Sequence, residues 1–174
     1  MQIYLLRHAI AEDFRPGLAD ADRAITSEGA RKLREVLRRA RGGGLEPTRI
    51  LSSPFKRAQE TAEIASKVLE YEGETLTTKT LIPSSVAQET WEEIRLYKGD
   101  ASLLLVGHEP AMGLLAGFLL GAPELQVEFK KGAILRVDVP SLGVRPRGVL
   151  KWMLAPKLAG RARRGPAREW RVRR

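Results

Sequence analysis

The chain has 174 residues, 43% of them apolar, and no cysteine, which is typical of one globular domain. The lack of cysteine excludes disulfide frameworks, thiolate nucleophiles and metal sites built on thiolates. The formal net charge is +9, and residues 157–174 carry eight basic residues against one acidic residue. We therefore predict a near-neutral domain over 1–158 and a basic C-terminal extension over 159–174, which we expect to be flexible.

Membrane insertion and export are not expected. The longest uncharged apolar stretch, 111–122, has 12 residues, and a spanning helix needs about 20. The first residues, MQIYLLRH, lack the basic segment and the apolar length of a signal peptide. The sequence predicts a cytoplasmic protein with no membrane partner.

Strand and helix patterns alternate along the first half of the chain. Ile3–Leu6 is a short apolar run, typical of a buried strand. After a polar loop, Thr26 or Ser27 is predicted to cap a helix that ends at three consecutive glycines. Residues 49–51 predict a second strand, and Pro54 marks the turn into a second helix.

The second half continues the alternation and ends in a hairpin. The pattern predicts a short strand, a helix, a strong strand, a further helix and two antiparallel strands, over 75–81, 86–97, 102–106, 111–120, 133–139 and 149–154. Such alternation indicates an α/β sandwich with a mixed, mostly parallel sheet.

The chain has two histidines, and each directly follows a predicted strand. His8 follows the first strand and His108 follows the strongest one. Ligands of open α/β sheets bind beyond the carboxyl ends of the strands. We therefore expect the two imidazoles to face one pocket, although two unrelated histidines would be the simpler interpretation of either one alone.

Two arginines lie beside these strand ends. Arg7 precedes His8, and Arg57 is expected in the first turn of the second helix. A cation at a helix N-terminus opposes the helix dipole, so helix stability does not account for Arg57. A bound anion would account for it, since guanidinium groups and helix N-terminal amides together bind phosphate. A solvated basic surface is the alternative, given the neighbouring Lys56.

Several segments together resemble the histidine phosphatase superfamily. They are LLRHA at 5–9, DADRAITSEG at 20–29, SSPFKRAQETA at 52–62 and VGHEP at 106–110. The ending WMLAP at 152–156, and the compact spacing, resemble the short SixA-type phosphohistidine phosphatases. The resemblance covers 1 to about 158 and implies the three-layer α/β/α sandwich of phosphoglycerate mutase-like proteins.

The resemblance implies a role for each of the four residues. His8 would be the nucleophile that forms a phosphohistidine intermediate, while Arg7, Arg57 and His108 would bind the phosphoryl oxygens. Protonation should help His108 as a donor and disable His8, so the two imidazoles are expected to titrate as a coupled pair. No cofactor is implied, and no metal, since the arginines supply the positive charge. The sequence departs from the superfamily pattern at Ala9, where glycine is common.

The general acid is not identified by the sequence. Residues 81–87, where mutase-like members carry a glutamate, contain no carboxylate. An alkoxide leaves poorly without a proton, whereas an imidazole leaves from a weak P–N bond. The sequence thus favours phosphohistidine on a protein, with Asp13, Asp20, Asp22 and Glu109 left as candidate acids. For Asp22 we expect a pair with Arg23, and for Glu109 the first position of a helix.

Three alternatives remain open. A general phosphomonoesterase of the same superfamily would act on a small phosphorylated compound. A polyanion-binding protein with a vestigial site would use the basic extension to bind nucleic acid, although glycines and proline at 160, 165 and 166 disfavour a helix there. A metallohydrolase is disfavoured because neither histidine lies in a close metal-ligand spacing.

Overall fold

A computed structural model describes residues 1–160. The chain forms six strands and five α-helices within these residues: β1 (Gln2–Arg7), α1 (Ser27–Gly42), β2 (Arg49–Ser52), α2 (Lys56–Leu69), β3 (Thr75–Thr77), α3 (Ala87–Leu96), β4 (Ser102–Gly107), α4 (Ala111–Leu119), β5 (Ile134–Asp138), β6 (Val149–Leu154) and α5 (Pro156–Ala159). Two 3-10 turns cover Asp20–Asp22 and Lys79–Leu81.

The strands form one mixed sheet in the order β3-β2-β4-β1-β5-β6. The pairs β2–β3, β2–β4 and β1–β4 are parallel, and the pairs β1–β5 and β5–β6 are antiparallel. The predicted mixed, mostly parallel sheet with a C-terminal hairpin is therefore confirmed. The parallel pairing of β1 with β4 brings two carboxyl ends side by side, which positions the functional site.

Helices cover both faces of the sheet, because its central strands are apolar on both sides. In β1, Ile3 and Leu5 pack with α3 and α4, while Tyr4 and Leu6 pack with α1, α2 and α5. A strand buried on both faces appears in sequence as a continuous apolar run. The three-layer α/β/α sandwich is thereby confirmed.

The segment predicted as a strand over 75–81 is only partly extended. Strand β3 ends at Thr77, and Lys79–Leu81 forms a 3-10 turn. The side chain of Thr78 accepts a hydrogen bond from the amide of Thr80, at 3.2 Å, which begins the turn. Threonine favours strands, but here its hydroxyl bonds locally to the backbone instead.

The C-terminal part of the described chain packs against the domain. Helix α5 follows β6, and Ala159 is buried against α1 and α2. The Nε of Arg39 donates to the carbonyl of Ala159, at 3.1 Å. The predicted extension over 159–174 lies outside the described residues from 161 onward, so its flexibility and its polyanion binding stay predictions. No helix within 1–160 is long and apolar enough to cross a membrane.

Candidate active site

The parallel pairing of β1 and β4 brings the two histidines together. Arg7 is opposite Gly107 in the ladder, so His8 and His108 follow adjacent strand ends. Their ring centroids lie 4.9 Å apart, and each histidine is almost fully buried, with 4% and 1% of its surface exposed. The prediction that both imidazoles face one site agrees with this geometry.

The hydrogen bonds of His8 define its tautomer. Its Nδ1 lies 2.7 Å from the carbonyl oxygen of Ala9, and a carbonyl only accepts, so Nδ1 carries the proton. The other nitrogen, Nε2, accepts a hydrogen bond from the Nε of Arg57, at 3.3 Å. The Nε2 lone pair therefore points towards the guanidinium group, where a bound anion would lie.

Burial keeps His8 neutral. The pKa of His8 is lowered from 6.5 to about 3, first by desolvation and then by the charges of Arg57, Arg7 and Lys131, while the hydrogen bond to the Ala9 carbonyl opposes this. A neutral imidazole keeps a lone pair for nucleophilic attack at ordinary pH.

His108 has different partners. Its Nε2 lies 2.9 Å from the Ser53 hydroxyl, and the Phe55 ring packs edge-on against it at 5.0 Å. Its Nδ1 is buried without a hydrogen-bond partner among residues 1–160. The pKa of His108 is lowered to about 3, first by desolvation and then by His8 and Arg57, while the charge of Asp20 opposes this. His108 is thus neutral as well. The sequence-based expectation was that protonation helps His108 as a hydrogen-bond donor.

Arg57 lies in the first turn of α2 and is 3% exposed. Besides the bond to His8, its Nη1 donates to the backbone carbonyl of Asp20 and its Nη2 to Asp20 Oδ2, at 2.8 Å. The guanidinium also stacks 5.0 Å from the Phe55 ring centroid. The anion expected from the unfavourable helix dipole is therefore supplied, in this structure, by the protein's own carboxylate.

Arg7 is held by the chain that precedes β5. Its Nη1 donates to the carbonyl of Phe129, at 2.5 Å, and its Nε is buried without a partner within residues 1–160. Desolvation lowers the pKa of Arg7, the charge of Glu109 opposes this, and Arg57 lowers the pKa further. A partly buried cation with a donor still to be satisfied is suited to an anionic ligand.

The candidate acids lie in different environments, and two expectations were wrong. Arg23 pairs with Asp20, at 3.0 Å, and not with Asp22, because the 3-10 turn directs the carboxylate of Asp20 towards Arg23 and Arg57. Glu109 precedes Pro110 and lies before α4, which begins at Ala111. Asp13 is exposed and does not contribute to the arrangement around His8.

Glu109 bonds to backbone amides. Its Oε1 accepts from the amide of Phe129, at 2.9 Å. Desolvation raises the pKa of Glu109, although the amides of Phe129 and Gly113 oppose this rise. The carboxylate thus joins the loop after β4 to the segment that holds Arg7.

Other groups at the site were not expected from the sequence. The Thr61 hydroxyl donates to the carbonyl of Arg57, at 2.6 Å, and accepts from the amide of Ala9, at 3.0 Å, so it joins the loop after β1 to α2. Thr61 and Ser53 both lie in the segment SSPFKRAQETA, which is the signal that could have found them. The carbonyls of Ala9 and Phe129 are backbone groups and have no sequence signal.

Comparisons with known proteins agree with this arrangement. Residues 3–81 match the model of the histidine phosphatase superfamily (branch 1). An uncharacterized protein of Picosynechococcus sp. is 34% identical over 138 residues, which cover 78% of this chain and 83% of the relative. The phosphohistidine phosphatase SixA of Escherichia coli is 27% identical over 158 residues, covering 90% of this chain and 94% of the relative.

A solved structure of the same kind has a closely similar fold. The structure of the protein histidine phosphatase SixA complexed with tungstate has a TM-score of 0.82 and 26% identity, and the match covers 90% of this chain and 98% of that chain. The chain belongs to the histidine phosphatase superfamily and is a phosphatase. Within that superfamily it is of the SixA type.

Proposed function

We propose that this phosphatase hydrolyses phosphohistidine on a protein, through a phosphohistidine intermediate on its own His8. The observation that carries the proposal is the tautomer of His8. With Nδ1 tied to the Ala9 carbonyl and the pKa lowered to about 3 by burial, Nε2 holds a lone pair beside the guanidinium of Arg57. These are the requirements for an imidazole that attacks phosphorus.

In the first step, Nε2 of His8 forms a bond to phosphorus and the bond to the leaving group breaks. Arg7, Arg57 and His108 bind the phosphoryl oxygens and stabilise the charge on them in the transition state. A leaving imidazole that carries a proton on its other nitrogen departs as a neutral molecule, so this step needs no general acid.

In the second step, water attacks phosphorus and the bond to His8 breaks. Phosphorylated His8 keeps its proton on Nδ1, so its ring is positively charged and leaves as neutral imidazole. The ring thereby returns to the tautomer that the Ala9 carbonyl selects. The water proton passes to solvent, and neither step calls on a metal or a cofactor.

The carboxylates near the site support an imidazole leaving group over an alkoxide. Glu109 is bonded to the amide of Phe129, and Asp20 is paired with Arg57 and Arg23. Burial raises the pKa of Asp20, but the hydrogen bond and charge of Arg57, together with Arg23, lower it overall. Asp20 is therefore ionised at neutral pH and has no proton to give an alkoxide.

The test replaces His8 with alanine and measures phosphate release from a phosphohistidine peptide and from a sugar phosphate, each with EDTA present. We expect the parent to act on the peptide in EDTA and to prefer it to the sugar phosphate, and His8→Ala to be inactive on both. Activity that survives His8→Ala would refute the covalent mechanism. A preference for the sugar phosphate would instead favour the phosphomonoesterase alternative.

A further inference from the structure

Asp20 holds an unusual position for an acidic residue beside a site that binds anions. Its side chain is 51% exposed, while that of Arg57 is 4% exposed, so the carboxylate lies between the buried guanidinium and solvent. Its Oδ1 lies 3.0 Å from the Nε of Arg23 and its Oδ2 lies 2.8 Å from the Nη2 of Arg57. One carboxylate thus bridges two arginines, and only Arg57 contacts His8.

The segment that carries Asp20 is fixed to the rest of the domain. Arg23 donates to the carbonyl of Glu12, at 3.0 Å, and the amide of Glu12 donates to the carbonyl of Ala24, at 2.9 Å. A β-bridge joins Ala11 to Ile25. Contacts that do not involve Arg57 therefore also hold the loop that carries Asp20.

Asp20 therefore holds the two Nη atoms of the guanidinium, while His8 contacts its Nε. Its backbone carbonyl accepts from Nη1 and its carboxylate from Nη2, while Nε donates to Nε2 of His8. A guanidinium fork is planar, so fixing both Nη atoms also fixes the direction of the Nε–H bond. Each Nη still has a second N–H available for an anion.

We propose that Asp20 is a positioning residue, which orients Arg57 so that its Nε faces the attacking nitrogen of His8 and the phosphoryl group that this nitrogen receives. The proposal rests on the proposed function, because it takes His8 Nε2 as the attacking atom. Asp20 acts through Arg57 and makes no contact with substrate. Without the carboxylate of Asp20, Arg57 keeps its charge but is held by Asp20 through the Nη1–carbonyl bond alone, which no longer fixes both Nη atoms. Misplacement of about 1 Å at a reacting centre costs on the order of 10²-fold in rate.

The variants are Asp20→Ala, which removes the carboxylate, and Asp20→Asn, which keeps an acceptor oxygen for Nη2. The matched control is Asp22→Ala, on the same 3-10 turn and exposed. Turnover of a phosphohistidine peptide gives kcat and KM, and titration with orthovanadate gives the affinity for a phosphate analogue. We expect Asp20→Ala to lower kcat/KM by on the order of 10²-fold, Asp20→Asn to recover part of this loss, and Asp22→Ala to match the parent.

A double-mutant cycle with Arg57→Ala separates positioning from a general structural role. If Asp20 acts through Arg57, adding Asp20→Ala to Arg57→Ala costs nothing further in kcat/KM or in orthovanadate affinity. A full additional loss in the double variant would overturn the proposal, as would orthovanadate affinity and kcat unchanged in Asp20→Ala. Thermal unfolding of each variant excludes simple misfolding, and Asp20→Asn remains informative where Asp20→Ala does not fold. Orthovanadate affinity is measured in every variant of the cycle, in addition to turnover. A substrate other than phosphohistidine would refute the proposed function, but the coupling between Asp20 and Arg57 in orthovanadate affinity would stand.

Discussion

The two histidines share burial, ring proximity and a lowered pKa, yet their hydrogen bonds differ. His8 faces a carbonyl on one nitrogen and a guanidinium donor on the other, so its tautomer is determined by partners that cannot change role. His108 faces the Ser53 hydroxyl, which can donate or accept. A fixed tautomer suits a nucleophile, and an adaptable one suits a ligand for phosphoryl oxygens.

Glu109 offers a test of how the site is supported. Its carboxylate accepts from the amide of Phe129, whose carbonyl accepts from Arg7. Glu109→Ala leaves that amide without its partner, so we expect the free energy of unfolding to fall by about 1–3 kcal/mol. Urea unfolding measures this change.

Glu124→Ala is the matched control, because Glu124 is exposed and lines the same surface cavity as Glu109. Surface substitutions of this kind stay within about 0.5 kcal/mol of the parent. If the two variants were equally stable, the bond from Phe129 to Glu109 would contribute nothing to folding.

Side-chain chemistry of the site was better predicted than its backbone partners. His8, His108, Arg7 and Arg57 were named because each lies next to a strand end or a helix start. The carbonyls that hold His8 and Arg7 belong to Ala9 and Phe129, and every residue has a carbonyl, so residue type gives no signal for them. The predicted partner of Arg23 was wrong because the 3-10 turn directs Asp20, and not Asp22, towards Arg23.

Residue type predicts the start of helix α1, but a contact with a residue distant in sequence determines one position inside it. The N-cap of α1 was predicted from residue type, and the Thr26 hydroxyl does accept from the amide of Gly29, at 3.0 Å. The role of Gly29 was not predicted, because it depends on Ile10, which is distant in sequence. A Cβ at Gly29 would overlap the carbonyl oxygen of Ile10 and lie 2.9 Å from its nitrogen.

Two glycines at opposite ends of α1 make a matched pair of substitutions. We expect Gly29→Ala to lower the free energy of unfolding by about 1–3 kcal/mol, because the backbone at Ile10 must move. At Gly42 nothing lies within 4 Å of an added Cβ, so we expect Gly42→Ala to be neutral or to stabilise by up to about 1 kcal/mol through helix propensity. Chemical denaturation measures both, and a loss at Gly42 as large as that at Gly29 would contradict the steric explanation.

The three-layer architecture follows from the apolar pattern, because strands that are apolar on both faces need helices on both faces. The order of strands does not follow from it. The pattern contains no information that places β4 between β2 and β1, and this placement is what brings His108 beside His8. The family resemblance supplied the fold where the apolar pattern supplied only its class.

Stability of the whole domain is coupled to the site through the two buried histidines. Each has a pKa of about 3 in the folded protein, caused first by burial, against about 6.5 in an unfolded chain. The unfolded state therefore binds more protons than the folded state between these values. The stability that the neutral histidines contribute is fully present above about pH 6.5 and is lost as the pH falls towards 3.

We therefore expect the free energy of unfolding to decrease between pH 6.5 and pH 5, by roughly 1 kcal/mol per pH unit for each histidine. In this range Asp20 stays ionised, since Arg57 and Arg23 outweigh the effect of burial and lower its pKa, so its pair with Arg57 does not contribute to the change. Burial raises the pKa of Glu109, so its protonation has the opposite sign and is measured separately with Glu109→Gln. Urea unfolding followed by circular dichroism at several pH values measures the slope, and His8→Asn and His108→Asn should each remove about half of it. A free energy that is constant between pH 6.5 and pH 5 in the parent would mean that the histidines accept protons without unfolding, and would contradict the neutral state on which the proposed nucleophilic attack by His8 depends.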